Sequence, residues 1–526
     1  MSLRSRLRRR SPHSDETGSW AGLGTGPEVF DDRRHPGGPP RPGVRGWAVP
    51  AGGRSTFLQP PPAFHGTTVQ VCGLWPWATG SAAPVEGVPL GRHLYSDVTV
   101  CCDPIQWFRL TNLIDAPSAF MLADPGLGKS KLAARMIIGL AATGVTPMVL
   151  GDLRPDYTEL IRRLGGQVIE LGAGRSVLNV LDPGGTAAAV EQLREAGFDG
   201  KAAQLEADAH RRQMTMVFAL LAINRGQPLT DVERALVGRA LRILRERRVD
   251  GAPVPVLSDL LAVIEEGPEE LRRLTLSRDD AAYQVASGGL QVSLIALIED
   301  DLGQMLGGHT TEPLDLAGHP GGVVFDVSSI SDVDQAMQGG ALMACWSAGF
   351  AAINASHALA DAGLAPRRYY FAVLDELHRA LRAGAGMPDR VDLLTRLNRR
   401  DGAGYLMITH TMSDLQALPE AADVAKARGL VERSKIKIIG GLSEREIRGD
   451  STHPGLQSVV GFTQAERDLV TKWSTPAGWR SGTGSRPPPG RGKFLIKVGQ
   501  RPGIPLQTVM TQAEMGIRDT NEMWQT

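Results

Sequence analysis

Cysteine is scarce in this sequence, which contains four in 526 residues. Cys101 and Cys102 are adjacent, whereas Cys72 and Cys345 stand alone, and none of the four has the spacing of a metal site. So few cysteines in so long a chain exclude a disulfide framework. We expect reduced thiols in a cytosolic compartment.

Net charge is absent as well, because 57 Lys and Arg balance 57 Asp and Glu. Only nine of the basic residues are Lys. A neutral chain has no global positive field, so composition argues for no nucleic-acid partner, although a local basic patch stays compatible with one. Hydrophobic residues at 42% and charged residues at 22% fit a globular protein.

Long apolar runs are also missing. The longest, residues 214–223 and 339–353, are shorter than the roughly 18 residues that cross a bilayer, and both predict buried helices. The start of the sequence, MSLRSRLRRRSPHSDE, has a basic run without the apolar segment of a signal peptide behind it. We therefore predict a soluble or membrane-peripheral protein.

The composition divides the chain into segments. Residues 1–66 hold ten Arg and ten Pro and few aliphatic residues, so they cannot bury enough apolar surface to offset chain entropy. We predict a disordered tail, whose RSRLRRR run either tethers nucleic acid or anionic lipid or is simply solvated. Short strand-like runs then predict a small β-rich lead-in over residues 67–116.

From residue 117 apolar strand-like runs alternate with helical periodicity, which is typical of a parallel sheet covered by helices. Residues 188–306 show helical periodicity alone, with a capping-box pattern, TDVE, at 230–233. We predict an α/β fold with a mostly parallel sheet over 117–187 and 307–526 and an all-α insertion between them. The predicted strands are 119–123, 147–150, 167–171, 322–327, 369–374, 405–409, 436–440 and 494–498.

The segment FMLADPGLGKSKLAARM fits a phosphate-binding loop between a strand and a helix. Such a loop needs glycines that let backbone N–H groups face the phosphates, a Lys for the β- and γ-phosphates, and a Ser or Thr for Mg²⁺. The usual first glycine is Ala123 here, which would be strained if its φ had to be positive. The alternative is a glycine-rich turn. The predicted phosphate loop is Asp124, Pro125, Gly126, Leu127, Gly128, Lys129, Ser130 and Lys131.

A second motif, YYFAVLDELHRAL, has an apolar strand that ends in Asp375 and Glu376. An Asp at the carboxyl end of a parallel strand can hold Mg²⁺ with Ser130, and a Glu directly after it can activate the attacking water. A solvated acidic pair is the alternative. Asp326 also ends an apolar strand, in VVFDVSSI, but no Glu follows it. We interpret Asp326 as a cap or turn residue.

A third strand, in TRLNRRDGAGYLMITHTMSDL, ends in Thr409 and His410. Either side chain is placed to sense the γ-phosphate, and a capped strand end is the alternative. Three arginines, Arg396, Arg399 and Arg400, precede this strand. One of them could reach the nucleotide of a neighbouring subunit as an arginine finger, although solvated Arg on a helix is common.

The ordered series of motifs over residues 74–526 resembles the VirB-class ATPases of type IV secretion and conjugative DNA transfer, in the FtsK–HerA branch of P-loop proteins. The resemblance is carried by LWPWATGSAAPVEGVPLGRHL, DPIQWFRL, GDLRPDYTELIRRLGGQVIELGAG, GHTTEPLDL, VLDELHRAL and RGKFLIKVGQRPGIPLQTVMT, in the order of that family. It implies a RecA-like motor domain with an α-helical insertion, ATP hydrolysis with Mg²⁺, and no covalent cofactor.

The resemblance also implies a homo-oligomer, often a hexamer, that works with the proteins of a membrane transfer channel. This places the chain in the cytoplasm or at the inner face of the cell membrane. It carries Lys129 and Ser130 over as phosphate and Mg²⁺ ligands, Asp375 as the Mg²⁺ partner and Glu376 as the base. His410 departs from the family, which often has Gln there.

Two other functions fit the same residues. An FtsK/HerA-like motor would pump DNA itself, which would make DNA a direct partner. A nucleotide-binding scaffold would keep the phosphate loop without turnover, and the intact Asp375–Glu376 pair argues against it.

Overall fold

The computed structural model describes residues 84–517 except 173, 183, 249–251, 385, 397–401, 419, 451–453 and 476–487. The predicted tail and the first part of the lead-in lie outside the described residues. Residues 84–508 form one compact unit, whereas residues 509–517 belong to a second unit. That second unit contains the short helix Gln512–Met515, capped by Thr511.

Within the described residues, eleven strands form one sheet in the order β2-β1-β11-β10-β9-β3-β8-β7-β4-β6-β5. Their bounds are β1 Pro89–His93, β2 Thr99–Cys101, β3 Ser118–Leu122, β4 Val145–Asp152, β5 Gln167–Glu170, β6 Val323–Asp326, β7 Tyr369–Leu374, β8 Ala403–Thr409, β9 Ile436–Ile439, β10 Lys493–Val498 and β11 Ile504–Thr508.

The sheet has two parts. The parallel half comprises β9, β3, β8, β7, β4, β6 and β5, whose neighbouring pairs are all parallel. The antiparallel arm comprises β10, β11, β1 and β2 and joins the parallel half where β10 pairs with β9. The predicted α/β fold with a mostly parallel sheet is confirmed.

The eight predicted strands all form, with ends shifted by one to two residues in most cases. Strands β4 and β8 are fully buried along their length, as apolar runs covered on both faces should be. The sequence prediction lacked β11, which extends the sheet next to β10. Strands β1 and β2, from the segment predicted as a lead-in, are at the edge of the same sheet.

Helices cover the sheet and form the segment between β5 and β6. Their bounds in the first unit are Pro104–Arg109, Lys129–Ala142, Thr158–Arg163, Thr186–Glu195, Asp199–Arg225, Asp231–Arg247, Leu257–Glu266, Glu269–Leu274, Asp280–Glu299, Asp301–Leu306, Gln335–Asp361, Leu377–Arg382, Met387–Arg396, Met412–Gln416, Ala421–Arg433, Glu444–Arg448 and Gln464–Trp473, with a 3₁₀ turn at Leu456–Ser458. The described residues of 188–306 contain helices and no strand. The predicted capping box is present, because Glu233 N–H donates to Thr230 Oγ1 and Thr230 N–H donates to Glu233 Oε2. The domain boundaries themselves stay predictions.

Two helices in the described part of the chain are long and apolar enough to cross a membrane by length and composition, which the short apolar runs did not predict. Both helices combine apolar residues with small uncharged ones such as Ala, Gly and Ser, so a long stretch of each has few charges. In Gln335–Asp361, 72% of the most apolar window is buried, so this is a core helix against the sheet. In Asp280–Glu299 the buried share is 28%, and Val285 and Val292 are exposed.

Candidate functional site

The phosphate loop connects β3 to the helix Lys129–Ala142. Gly126 and Gly128 have φ of 78° and 96°, which is left-handed backbone that glycine adopts without strain. Gly128 is the N-cap, so the free N–H groups of the first helical turn open toward the loop. The chain thus forms an anion-binding end where the sequence predicted one.

Ala123 does not have the positive φ that would have strained an alanine at this position. It is not among the non-glycine residues with positive φ in the described chain, which are Asp97, Asn112, Leu276 and Glu376. Its methyl group lies against Gly440, where an added Cβ would be 2.5 Å from the Ala123 Cβ. The glycine at 440 therefore leaves the space that the alanine at 123 fills.

Strand β8 lies between β3 and β7, and all three run in parallel. Their carboxyl ends consequently meet at one edge, which brings His410 between the phosphate loop and the Asp375–Glu376 pair. One pocket at this edge is lined by the predicted residues Pro125, Gly126, Gly128, Lys129, Ser130, Lys131, Asp375, Glu376 and His410.

Other predicted residues lie off the pocket wall or outside the described part. Leu127 and Thr409 are buried behind it, and Asp124 is half-buried at the start of the loop. Arg396 ends the helix Met387–Arg396, but its side chain is outside the described residues. Arg399 and Arg400 are also outside the described residues, so the finger hypothesis stays a prediction.

Lys129 is turned back onto its own loop. Its Nζ donates to the carbonyl of Ala123 at 2.7 Å and to that of Asp124 at 3.4 Å, and it lies 2.7 Å from His410 Nδ1. Burial lowers the pKa of Lys129, while the carboxylates of Asp375 and Glu376 oppose that shift. The ammonium group is thus bound within the loop by groups that phosphate oxygens could replace.

These contacts assign the proton on His410. An ammonium group donates and cannot accept, so His410 Nδ1 must be the acceptor and the ring proton must be on Nε2. His410 Nε2 lies 3.1 Å from Glu376 Oε2. Contacts therefore run from the phosphate-loop lysine through an imidazole to the predicted base, and the second of them is an ion-pair distance.

Glu376, His378 and His410 also have the donor atoms of a metal site, all within 4.8 Å of one another. A metal would need a bare Nε2 on His410, whereas the Lys129 contact puts the proton there. His378 Nδ1 lies 3.5 Å from the same Glu376 oxygen and 3.4 Å from Thr409 Oγ1. With Lys129 in this position the three side chains form a polar network around Glu376.

The two acids have opposite electrostatics. Burial and the adjacent Glu376 carboxylate raise the pKa of Asp375 to about 6. Burial also opposes ionisation of Glu376, but the His410 ring, together with His378 and Arg154, outweighs it and lowers the Glu376 pKa to about 2. Glu376 also has a φ of 50°, an uncommon left-handed conformation for a residue other than glycine, and such strain often marks functional sites.

Asp375 is held by a residue that the sequence analysis missed. The hydroxyl of Tyr157, which is 1% exposed, donates to Asp375 Oδ2 at 2.8 Å, and Glu376 N–H donates to Oδ1 at 2.8 Å. The loop that carries Tyr157 is shaped by Asp152 at the end of β4, which accepts from the backbone N–H of Asp156 and Tyr157. A carboxylate directly after the apolar run of β4 was the available signal.

Asp326 has the environment of a turn residue. Its Oδ1 accepts from Ser328 N–H at 2.9 Å, and its Oδ2 accepts from the Thr158 hydroxyl at 3.3 Å. It does not line the phosphate-loop pocket. Two arginines that the motif analysis did not single out, Arg154 and Arg491, do line it.

The sequence matches no protein-family model and no curated protein. Among solved structures it is similar to VirB4 of Thermoanaerobacter pseudethanolicus, at 18% identity over 83% of this chain and 99% of that one, with a TM-score of 0.56. It also aligns with the bacterial conjugative coupling protein TrwB, at 12% identity over 82% and 91% of the two chains, with a TM-score of 0.42. The VirB4 alignment shows a shared fold, so the resemblance inferred from the motifs is confirmed at the level of the fold.

Proposed function

We propose that this chain is a Mg²⁺-dependent ATP hydrolase that energises a conjugative or type IV secretion system, in DNA transfer or in channel assembly. The observation that carries the proposal is the single pocket in which Lys129 and Ser130 meet Asp375 and Glu376. A phosphate loop alone supports binding, whereas a strand-end Asp–Glu pair facing it supports hydrolysis. The VirB4-like fold supports the assignment to a secretion motor.

Each group in the pocket has a chemical role in this proposal. Lys129 binds the β- and γ-phosphates, and the loop N–H groups bind the remaining phosphate oxygens. Ser130 and Asp375 would hold Mg²⁺, which neutralises charge on the phosphates when it is bound. Tyr157 keeps the Asp375 carboxylate oriented toward the pocket, because its hydroxyl donates to one carboxylate oxygen. Glu376 accepts the proton of the attacking water.

The Lys129–His410–Glu376 chain links binding to activation of the base. Phosphates draw Lys129 away from the carbonyls of residues 123 and 124, and His410 then loses its donor at Nδ1. The imidazole is then no longer held from the Lys129 side, and a turn of the ring would remove one of the groups that lower the Glu376 pKa. A rise in that pKa would make Glu376 a better base, which would couple nucleotide binding to activation of the attacking water.

The proposal includes assembly of subunits. A P-loop motor gains about 10³–10⁵ in rate from an arginine supplied in trans, and Arg396, Arg399 and Arg400 are the candidates from the sequence. Turnover per subunit should rise with protein concentration as a homo-oligomer, such as a hexamer, forms. A mass that stays monomeric and a specific activity that stays flat from nanomolar to micromolar protein would contradict this part.

The deciding experiment measures phosphate release by the purified full chain, with and without DNA. Wild type should hydrolyse ATP, and Lys129→Ala should lose both binding and turnover, because it removes the cation from the loop. Glu159→Lys, at a partly exposed position that does not line the pocket, is a charge-changing control that should leave turnover intact. Strong stimulation by DNA would favour the DNA-pumping alternative, and tight binding without turnover would favour the scaffold.

A further inference from the structure

A turn from the far end of the chain lies against the phosphate loop. It spans residues 488–493 and precedes β10 in the antiparallel arm. Gly492 N–H donates to the carbonyl of Leu127 at 2.9 Å, and Gly492 N is the nearest atom to a Cβ built on Gly128, at 3.7 Å. The backbone of the turn is therefore attached to the middle of the phosphate loop.

Further contacts hold the turn at this position. Arg491 N–H donates to the carbonyl of Pro488 and Lys493 N–H to that of Gly490, both at 2.9 Å. The Gln507 amide donates to the Arg491 carbonyl at 3.3 Å. Gly490 is packed so closely against the Trp473 carbonyl that a Cβ would not fit. The Cα of Arg491 is thus fixed beside the loop by backbone contacts on both sides.

The side chain of Arg491 lines the pocket together with Gly126, Gly128, Lys129 and Ser130, and it is exposed to solvent there. The carboxylates of Asp375 and Glu376 line the same pocket. A triphosphate beside these acids adds several negative charges, and the Lys129 ammonium is a single point charge in the loop. A guanidinium adds five N–H donors in a planar fork that matches phosphate oxygens.

We propose that Arg491 is a nucleotide-binding residue supplied in cis, whose guanidinium binds the phosphate chain of the nucleoside triphosphate in the phosphate loop. The inference rests on the proposed function, because it assumes that this pocket takes a nucleotide. It gives the antiparallel arm a direct part in the site: the carboxyl ends of the parallel strands supply the acids, and the arm adds a cation to those of Lys129, Lys131 and Arg154.

The test is nucleotide affinity in Arg491→Ala, Arg491→Lys and a matched control, Arg501→Ala. Arg501 is exposed at the opposite end of β10 and does not line the pocket. Arg491→Ala should weaken ATP binding by about 10- to 100-fold, the range of a lost charge-assisted hydrogen bond. Arg491→Lys should recover part of the loss, and Arg501→Ala should bind like wild type.

Thermal unfolding separates this role from a structural one. Because the side chain is exposed, Arg491→Ala should unfold at the wild-type temperature without nucleotide, while the rise in Tm on adding ATP should shrink. Wild-type affinity in Arg491→Ala, alongside a defect in Lys129→Ala, would overturn this inference and leave the proposed function standing. A native chain that binds no nucleotide would overturn both.

Discussion

The parallel half of the sheet and its antiparallel arm differ in where their strands end. In the parallel half, β3, β8 and β7 run the same way, so their carboxyl ends deliver the phosphate loop, His410 and the Asp375–Glu376 pair to one edge. In the arm, neighbouring strands alternate in direction, so only every second strand ends at that edge, and the turn before β10 is the part that contacts the phosphate loop. The predicted catalytic side chains are concentrated where strand direction aligns the ends, and the arm contributes that turn.

The largest effect should come from the parallel half. Glu376→Gln keeps the size of the side chain and an oxygen that faces His410, but an amide cannot take a proton from water. We expect turnover to fall by roughly 10²–10⁴, the usual scale for a lost general base, with ATP binding retained. Phosphate release and nucleotide affinity, measured on the same sample, test this.

The matched control is Glu159→Gln, the same substitution at a partly exposed position that does not line the pocket, where turnover should stay at the wild-type level. Equal turnover in Glu376→Gln and wild type would show that the strand-end Glu is not the base. The predicted base would then no longer distinguish the parallel half of the sheet from the antiparallel arm.

A mutation in the arm should affect stability and leave the chemistry intact. Lys497 in β10 is 1% exposed and pairs with Glu466 at 3.0 Å, a carboxylate that also accepts from Thr463 N–H. Lys497→Met leaves this carboxylate buried without its cation, which typically costs about 3–5 kcal/mol of folding free energy. Chemical unfolding should show the loss of folding free energy. At a low temperature, where the variant is still folded, turnover per folded molecule should equal that of wild type.

The control is Lys472→Met, since Lys472 is exposed. Its unfolding free energy should stay within about 0.5 kcal/mol of wild type. If Lys497→Met instead abolishes turnover in a fully folded sample, the arm takes part in the chemistry beyond the contact proposed for Arg491.

The sequence predicted the parallel half well and the arm poorly. Strands β7 and β8 are buried apolar runs followed by polar residues, so pattern and chemistry coincide at Asp375 and His410. Strand β2 lies in a strand-like run of the predicted lead-in, whereas β1 and β11 contain proline and no alternation marks them. They form because they pair with strands that are distant in the sequence, and such pairing cannot be seen in the pattern of residues.

The same limit applies to the site. Motif spacing is sufficient to nominate Lys129, Ser130, Asp375 and Glu376, because their roles depend on neighbours in sequence. The contacts of Tyr157 and Arg491 depend on tertiary structure, since one hydroxyl meets a strand end far along the chain and the C-terminal turn meets the loop. The roles of all these residues stay predictions until activity is measured.

His378 gives a pH test of the network around Glu376. Burial lowers its pKa from 6.5 to about 4, although the Glu376 carboxylate opposes that shift. Between these values the unfolded chain binds a proton that the folded chain does not, so stability must fall as the pH falls from 6.5 toward 4. His378→Asn should remove one proton from this dependence, about 1.4 kcal/mol per pH unit.

Unfolding free energies of wild type and variant at several pH values between 4.5 and 7 would measure it. His309→Asn, at an exposed position, is the control and should keep the wild-type slope. Parallel curves for wild type and His378→Asn would mean that His378 takes up its proton in the folded state as readily as in the unfolded chain.

The smallest effect should come from Asp326, which ends a parallel strand as Asp375 does. Its carboxylate accepts from Ser328 N–H in the turn and from the hydroxyl of Thr158, the first residue of the helix after β4, and it stays off the pocket wall. In Asp326→Asn the amide oxygen can still accept from Ser328, and the Thr158 hydroxyl can still donate to Asp152. We expect turnover within about twofold of wild type and a stability loss near 1 kcal/mol, the value of one ordinary hydrogen bond.

Asp375→Asn, the same change two strands away, should lose Mg²⁺-dependent turnover. If Asp326→Asn is the more damaging of the two, the Mg²⁺ partner is the Asp of β6. Lining the phosphate-loop pocket would then not be the property that distinguishes a catalytic strand-end Asp from a structural one.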